Sequence, residues 1–445
     1  MPGPALPARV RVSIGGSDPL PALRRRLRLG AGRRYRLRLT FLETFDWRVF
    51  RAGGTLLLEE SSAGRRLLWR TPRRTLVTPA PEPVRRVGDL PPGALRVLLA
   101  GIVEARALIP VGRVRVERVA APVLDTAGKT TVRLERDVTT LEDTAGTKVG
   151  PARSTLSAEA LPGYEAAHRR VVAVLSTMPE VVPADPDDLA EAAAVWGRRP
   201  GDYSSRMEIR LDPQQSAAAA VRAILLSLLG ATRANIDGAV NDVDSEFLHD
   251  LRVATRRTRA AISLLGDTLG GRQTAPYAEE FRWLGRVTGP CRDLDVFRIH
   301  LDRLLVAASE VDGVALGPLL EHLAAARGAA RGELVTALGS RRLVSLLARW
   351  ERFLRRARPQ GDRRPIRVVA DARIGDAFRK VLRRGAAGGG ETDAAALHRL
   401  RIAAKRLRYL VEFFASLYEP ESIAVLARKL RQLQDALGGV QDAVV

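Results

Sequence analysis

The sequence predicts an α+β domain over residues 1–200, followed by an all-α domain of two pseudo-symmetric helical bundles over residues 208–445. Three observations support this division. Short β-patterned runs fill the first part of the chain, and long stretches rich in Ala, Leu and Arg fill the second. The second part also contains an internal repeat.

The N-terminal strands are predicted from apolar runs with a period of two that are bounded by turn residues. In chain order they are RYRLRLTF, GTLLLEE, RRLLWR, VRVERV and TTVRLERDV. A proline-rich loop, TPRRTLVTPAPEPVRRVGDLPPG, interrupts them. Amphipathic patterns predict helices that begin near Leu95 and Gly163, and we expect the first of them to lie across the sheet.

The helical domain is predicted to begin at LDPQQSAAAAVRAILLSLLG, with Asp212 as the N-cap and Pro213 as the first helical residue. Breaks rich in Gly or Pro then separate several helices, near 266–276, 311–317, 358–365 and 385–390. Clusters of β-branched residues are scarce in this part of the chain. The pattern is typical of antiparallel helical bundles.

The charge of the chain indicates a polyanionic partner. The 72 Lys and Arg exceed the 50 Asp and Glu, which gives a net charge of +22 and a pI near 11.2. Nucleic acid, an anionic membrane surface and a chain of phosphates are the candidate classes. Only five of the basic residues are lysine, and a genome rich in G and C also produces such an excess of arginine. The bulk charge alone therefore does not locate a site.

The cysteine content and the N-terminus indicate the compartment. A single cysteine, Cys291, excludes an intrachain disulfide framework and suits a reducing environment. MPGPALPARVRV lacks the apolar core of a signal peptide. No apolar run approaches the ~18 residues that are needed to span a bilayer. We expect a soluble cytoplasmic protein without a membrane partner, and the sequence predicts no oligomeric state.

Two stretches of the helical domain carry the same basic motif. LHDLRVATRRTRAAISLL and LHRLRIAAKRLRYLVEFF each place a histidine ahead of arginines, and His398 lies 149 residues after His249. Five identities follow at the same offset, and Arg256 is matched by Lys405. One ungapped offset that holds over about 50 residues indicates two related helical bundles.

The repeat extends to a second motif further along the chain. LGRVTGPCRDLDV matches LQDALGGVQDAVV at the 149-residue offset, which pairs Asp293 with Asp442. We expect these aspartates to orient an arginine or a helix end rather than to act as catalytic acids. The first repeat continues far beyond this motif, whereas the sequence stops at Val445. We therefore expect the second bundle to lack its last helix.

On a helix, the basic residues of each motif fall on one face and the apolar residues on the opposite face. Like charges at i,i+4, such as Arg252 with Arg256 and Arg401 with Lys405, destabilise a helix by a few tenths of a kcal/mol per pair. The alternative is a solvated basic face. Because this destabilising arrangement of like charges occurs in both motifs, we expect a binding surface for an extended anion instead. The candidate binding residues are His249, Arg252, Arg256, Arg257, Arg259, His398, Arg401, Lys405, Arg406 and Arg408.

The chemistry of these side chains favours phosphate over a metal ion. The planar fork of arginine clamps phosphate oxygens bidentately, and histidine adds a donor whose charge responds near neutral pH. A metal site is disfavoured because each histidine lacks a second ligand at helical spacing and has cationic neighbours. We expect neither a metal nor another cofactor.

The motifs LHDLRVATRRTRA…GPCRDLDV and LHRLRIAAKRLRYLVEFF…LQDALGGVQD resemble the two halves of a CHAD domain, the conserved-histidine α-helical domain. The resemblance covers residues 208–445. It implies two four-helix bundles whose basic helices line a shared groove, and binding of inorganic polyphosphate without catalysis. Association with polyphosphate granules in the cytoplasm is a further expectation from this resemblance.

The N-terminal part is similar to a CYTH domain, the triphosphate tunnel fold, in TFLETFDWRVFRAGGTLLLEE and LPGYEAAHRRV. The family's Glu-x-Glu-x-Lys strand, which holds its catalytic metal, is absent, and PARVRVSIGG stands at the N-terminus instead. The strand that carries arginine in the family reads LLLEE here. We therefore expect a degenerate β-barrel or tunnel with a structural or auxiliary anion-binding role.

Three functions are open on the sequence alone. The leading hypothesis is non-catalytic binding of inorganic polyphosphate. The second is a triphosphatase or polyphosphatase that uses the N-terminal domain with Mg²⁺ or Mn²⁺. The third is a nucleic-acid-binding protein, which no recognisable motif supports, although a pI this high favours nonspecific binding of nucleic acid.

Overall fold

The computed structural model describes residues 9–15, 18–72, 74–179, 181–183, 188–307, 316–356, 361–386 and 394–442. The chain divides into two compact units, residues 1–204 and residues 205–445. The first is built on an antiparallel sheet and the second is helical, as the sequence predicts. They are called the sheet unit and the helical unit below.

Nine strands of the sheet unit form one antiparallel sheet. They are β1 (Arg9–Ile14), β2 (Arg33–Glu43), β3 (Thr55–Ser61), β4 (Gly64–Arg70), β5 (Thr75–Pro79), β6 (Ile109–Leu124), β7 (Thr130–Glu142), β8 (Lys148–Ala160) and β9 (Val181–Pro183). Their order across the sheet is β5-β4-β3-β2-β6-β7-β8-β1-β9. Because side chains alternate along each strand, the register divides the sheet residues into two faces.

Five helices complete the sheet unit: α1 (Leu20–Arg26), α2 (Arg48–Arg51), α3 (Ala94–Val103), α4 (Glu165–Ser176) and α5 (Asp188–Val195). The apolar sides of α1, α3 and α4 pack on one face of the sheet, called the outer face. The opposite, inner face packs against α5 through Leu189, Ala192 and Ala193. Gly112 of β6 allows this contact, since a Cβ atom there would lie 2.7 Å from the backbone carbon of Ala192.

The five predicted strands correspond to β2, β3, β4, β6 and β7, and the two predicted helices correspond to α3 and α4. Strand β5 lies inside the proline-rich segment that was predicted to be a loop. It is the edge strand of the sheet and ends at Pro79, and such positions tolerate proline because the backbone there need not donate to a further strand. The sequence pattern also does not predict strand β8, because its inner-face side chains, such as Thr155 and Ser157, are small and polar.

The helical unit contains nine α-helices over its described residues. They are α6 (Ala217–Val240), α7 (Ser245–Leu265), α8 (Gly271–Val287), α9 (Gly289–Ala307), α10 (Gly317–Leu338), α11 (Arg341–Leu354), α12 (Ile366–Ala386), α13 (Ala394–Phe413) and α14 (Pro420–Asp442). Helices α6 to α11 pack in one group, and α13 packs between α12 and α14 in a second. The groups meet where α7 contacts α13 and α6 contacts α12.

The internal repeat is visible in the order of the helices. Helices α12 and α13 begin 149 residues after α6 and α7, and α14 begins 149 residues after α8. The first repeat starts a new helix, α9, at Gly289, whereas α14 continues as one helix through the matching position. The two halves of the helical unit are therefore related but not identical.

The predicted start of the first helix is wrong. Helix α6 begins at Ala217, and its N-cap is Ser216, whose hydroxyl accepts a hydrogen bond from the backbone N–H of Ala219. Asp212 instead closes a turn by accepting from the N–H of Gln214 at 2.9 Å. The intervening backbone pairs with the segment before α12, which the local sequence pattern does not reveal.

Helix α6 is long and apolar enough to cross a membrane by length and composition, with a mean hydropathy of 1.4 over an 18-residue window. Arg222 and Arg233 interrupt its apolar run, which is why the sequence did not present it as a span. In the structure 56% of that window is buried inside the helical unit. The apolar length of α6 is thus used in packing against α7 and α11.

The contact between α6 and α7 at Gly238 gives a stability prediction. A Cβ atom at this position would lie 2.1 Å from the ring of Phe247, which is buried. We expect Gly238→Ala to lower the free energy of unfolding by about 1–3 kcal/mol through overpacking. Gly230→Ala on the same helix meets no atom within 4 Å. It should instead stabilise by about 0.5–1 kcal/mol through helix propensity.

Urea denaturation followed by circular dichroism checks both variants. Equal stability of the two variants would contradict the close approach of α6 and α7.

Candidate anion-binding groove

The two basic helices are positioned by their apolar sides. In α7, Leu251, Ala254 and Leu265 are buried in the helical unit, and in α13 Ala403 and Leu407 are buried in the same way. This confirms the apolar faces that the sequence predicts for the two motifs. Burial of these sides fixes the rotation of each helix, so the opposite, basic sides face away from the two cores.

Five cations from three helices line one cavity between α7, α8 and α13. The cavity has a volume of about 640 Å³, and it is called the basic groove below. Its cations are Arg256 and Arg259 of α7, Arg282 of α8, and Lys405 and Arg406 of α13. Four of the ten predicted residues therefore meet in one place, two from each repeat.

Charges from both helices act on Lys405. Burial lowers the pKa of its ammonium group, and the positive charges of Arg401, Arg256 and Arg408 lower it further. Arg256 belongs to α7 and Lys405 to α13, so the two basic stripes repel each other across the groove. An anion placed between them would relieve this repulsion and favour the charged form of Lys405.

Glu412 of α13 holds the two stripes together. Its Oε2 atom accepts hydrogen bonds from Nε and Nη2 of Arg257 at 3.3 and 3.2 Å, across the contact between α7 and α13. Its Oε1 atom lies 3.4 Å from Nε of Arg408, one turn earlier on the same helix. Two of the predicted binding residues are thus already paired with one carboxylate.

Arg252 is directed toward α8. Its Nη1 atom donates to the carbonyl oxygen of Gly285 at 3.1 Å and to Oγ1 of Thr288 at 3.3 Å. Burial lowers the pKa of the Arg252 guanidinium, and the charge of Asp293 acts in the opposite direction. The orienting role of Asp293 stays a prediction. The side chain of Asp442 lies outside the described residues.

The two histidines occupy different environments. His249 is half-buried, while His398 is exposed. Burial lowers the pKa of the His249 imidazole, Glu246 raises it, and the positive charge of Arg292 lowers it again. Among the described side chains that line the basic groove, neither histidine appears. No group of three His, Cys, Asp or Glu in the described part of the chain is arranged to hold a metal ion.

Sequence reasoning missed Arg282 and Tyr409, which also line the basic groove. Arg282 forms an ion pair with Glu279 of its own helix. The internal repeat indicates Arg282, because Arg431 lies 149 residues after it. Tyr409 is buried and stacks against Phe413, and no sequence pattern distinguishes it from a core aromatic.

A family model described as the CHAD domain matches residues 223–445. The crystal structure of the CHAD domain from the plant Ricinus communis is 30% identical to the chain. The match covers 54% of this chain and 80% of the plant chain, with a TM-score of 0.44. No curated protein matches the chain.

Other similar structures match the N-terminal region and include triphosphate tunnel proteins. A putative adenylyl cyclase from Hippeastrum, described as having a dominant triphosphatase activity, is 12% identical. That match covers 44% of this chain and 98% of the other, with a TM-score of 0.31. A putative adenylate cyclase from Bacillus halodurans is 15% identical over 41% of this chain and 95% of its own, with a TM-score of 0.31.

The shared carboxylate generates a second stability prediction. Glu412→Gln leaves Arg257 and Arg408 without a counter-charge in a partly buried contact, where the exposed fractions of Arg257, Arg408 and Glu412 are 19%, 23% and 25%. We expect a loss of about 1–3 kcal/mol in the free energy of unfolding.

The matched control is Asp376→Asn, whose i,i+3 pair with Arg379 is largely exposed. It should change stability by less than about 0.5 kcal/mol. Chemical denaturation of both variants measures their free energies of unfolding. Equal losses of stability would show that Glu412 contributes no more than an exposed ion pair.

Proposed function

Because the chain belongs to the CHAD domain family, we propose that its helical unit binds inorganic polyphosphate in the basic groove without catalysing a reaction. The observation that carries this proposal is the convergence of Arg256, Arg259, Lys405 and Arg406 from two repeats on one cavity. Like charges held this close are costly unless an anion lies between them.

An extended anion fits the groove better than a single phosphate. The stripe on α7 runs from Arg252 to Arg259, which corresponds to a length of about 10 Å along the helix axis. Arg401 and Arg408 bound a stretch of the same length on α13. A phosphate chain would contact cations along this whole length, whereas one phosphate would contact only a few of them. Arginine supports this role because its fork binds phosphate oxygens in pairs.

The predicted binding residues divide into three groups by their present contacts. Arg256, Arg259, Lys405 and Arg406 line the groove directly. Arg257 and Arg408 share Glu412, so we propose that they mainly hold the two helices at the right distance. Arg252 similarly ties α7 to α8. His249, His398 and Arg401 lie outside the cavity lining.

The sheet unit is proposed to have an auxiliary role rather than a catalytic one. Strand β1 places Arg11 on the inner face of the sheet, where the resemblance to tunnel enzymes would require a metal-binding carboxylate. Metal-dependent triphosphate hydrolysis by this unit is the alternative function. The structural neighbours that are described as triphosphatases are the reason to test it.

Replacing two groove cations should weaken polyphosphate binding. We expect Arg256→Ala with Lys405→Ala to reduce the affinity for long-chain polyphosphate by at least about tenfold, because two phosphate contacts are lost. The dependence of log K on log salt should become shallower by about 1–2, in proportion to the charges removed. Calorimetric titration at two salt concentrations measures both quantities.

The matched control for charge is Arg355→Ala with Arg379→Ala, which removes two exposed arginines outside the groove. Equal losses in the two double variants would show that net charge alone drives binding. DNA supplied at the same phosphate concentration tests the nucleic-acid alternative, since equal competition by DNA would favour that function.

The lowered pKa of His249 predicts a pH-dependent affinity. In the free protein the imidazole is mainly neutral near neutral pH, and a bound polyanion raises its pKa, so binding takes up a proton. Affinity should therefore rise as the pH falls toward the free-state pKa, and this gain is lost above the bound-state pKa. His249→Gln should make the pH dependence shallower in titrations at pH values of about 6 and 8. An unchanged pH dependence in this variant would exclude His249 as the responsive group.

A further inference from the structure

The inner face of the sheet unit encloses a second cavity, of about 680 Å³. We propose that this cavity binds a small molecule with an apolar body and at most one acidic group, rather than a chain of phosphates. This inference concerns the sheet unit alone and does not depend on the function proposed for the basic groove.

The wall of this cavity is largely apolar. The strand register places Leu39 opposite Val114 and Phe41 opposite Leu57, all on the inner face. Val116 follows Val114 on the same face, and each of these five side chains is at most 6% exposed. These five side chains offer a phosphate chain no hydrogen-bond donor, whereas an apolar ligand would gain from contact with them.

The charges on the wall are already paired within the protein. Arg118 of β6 lies opposite Asp137 of β7 in the register, and its Nε and Nη2 atoms donate to the two carboxylate oxygens at 2.7 and 2.8 Å. Arg118 also lies 3.2 Å from Glu135. A triphosphate would have to displace these carboxylates from the arginine and then lie beside them, which like-charge repulsion opposes.

The same holds for Arg11, which lies near this pair because its partner Thr155 is opposite Asp137 in the register. Nη1 of Arg11 donates to Asp188 at 2.7 Å, and the guanidinium also contacts Oγ1 of Thr155. Asp188 is the first residue of α5, whose Leu189 packs into the apolar cluster of the inner face. The lining side chains include three arginines, Arg11, Arg70 and Arg118, and two aspartates. With Glu135 also paired to Arg118, the cavity has no surplus of positive charge to neutralise several acidic groups.

The size and composition of the cavity match those of small-molecule sites. Such sites enclose roughly 300–1,000 Å³ and combine apolar and aromatic walls with a few placed polar groups. Here the hydroxyl of Thr139 and the two ion pairs provide polar groups that can orient a ligand.

The test uses the full chain and the uncharged fluorescent probe N-phenylnaphthylamine. We expect saturable binding of one probe per chain, seen as a rise in probe fluorescence. Val116→Phe places a ring in the cavity and should weaken this signal. The control, Val97→Phe, changes a valine that is 75% exposed on α3, and it should leave the signal unchanged. Circular dichroism reports whether each variant is folded.

A second variant keeps the test decisive if Val116→Phe does not fold. Thr139→Cys is a near-isosteric change that places a thiol on the cavity wall, and the natural chain with its buried Cys291 supplies the background. The probe should slow modification of this thiol by an uncharged reagent. Tripolyphosphate, with or without Mn²⁺, should neither slow it nor release phosphate.

Three results would overturn the proposal. The first is the absence of saturable probe binding. The second is probe binding that Val116→Phe does not weaken, together with a Thr139→Cys thiol that the probe does not protect. The third is protection of the Thr139→Cys thiol by tripolyphosphate. The last result, or Mn²⁺-dependent phosphate release that Val116→Phe abolishes, would assign the cavity to triphosphate chemistry. Loss of polyphosphate binding in the groove variants would leave these readouts unchanged, so the two proposals fail independently.

Discussion

The packing of two cationic helices against each other is the constraint on which the helical unit depends. The stripes on α7 and α13 repel, since Arg256 of α7 adds to the effect of burial in lowering the pKa of Lys405 on α13. The repulsion is tolerated because the apolar sides of both helices are buried and because Glu412 pairs with Arg257 and Arg408. The protein thus maintains a region of positive potential that is open on one side. In the function proposed here such a region would be a preorganised anion site, since the cost of assembling the charges is met during folding.

The division of the basic residues by contact explains why ten similar positions do not have ten similar roles. Arg252 and Arg257 lie on the same helix as Arg256 and Arg259, yet they contact α8 and α13 rather than the groove. A guanidinium can bind a backbone carbonyl, a carboxylate or a phosphate with the same fork. Which partner it finds depends on the neighbouring helix, so some arginines connect helices and others line the groove.

Much of this architecture could be predicted from the sequence, because the repeat and the helical periodicity are local signals. The faces of α7 and α13 and four of the groove residues follow from spacing alone. The partner of Arg257 does not, because Glu412 is 155 residues away and its position depends on how two helices cross. The start of α6 was misplaced for the same reason, since the backbone before it pairs with a distant segment. In the sheet unit, β8 and α5 have weak local patterns, and their positions depend on the register of the whole sheet.

The position of Glu412 has a consequence for how the duplicated halves are related. The residue 149 positions earlier is Ser263, so the carboxylate that pairs with the arginines of both helices comes from the second repeat. Two copies of the first repeat, placed face to face, would lack this carboxylate at both positions and would repel without compensation. The halves have therefore diverged into complementary partners, much as the subunits of an ancestral homodimer can become an obligate heterodimer. Divergence at this one position means that the first half cannot replace the second, since it would bring no carboxylate to the contact.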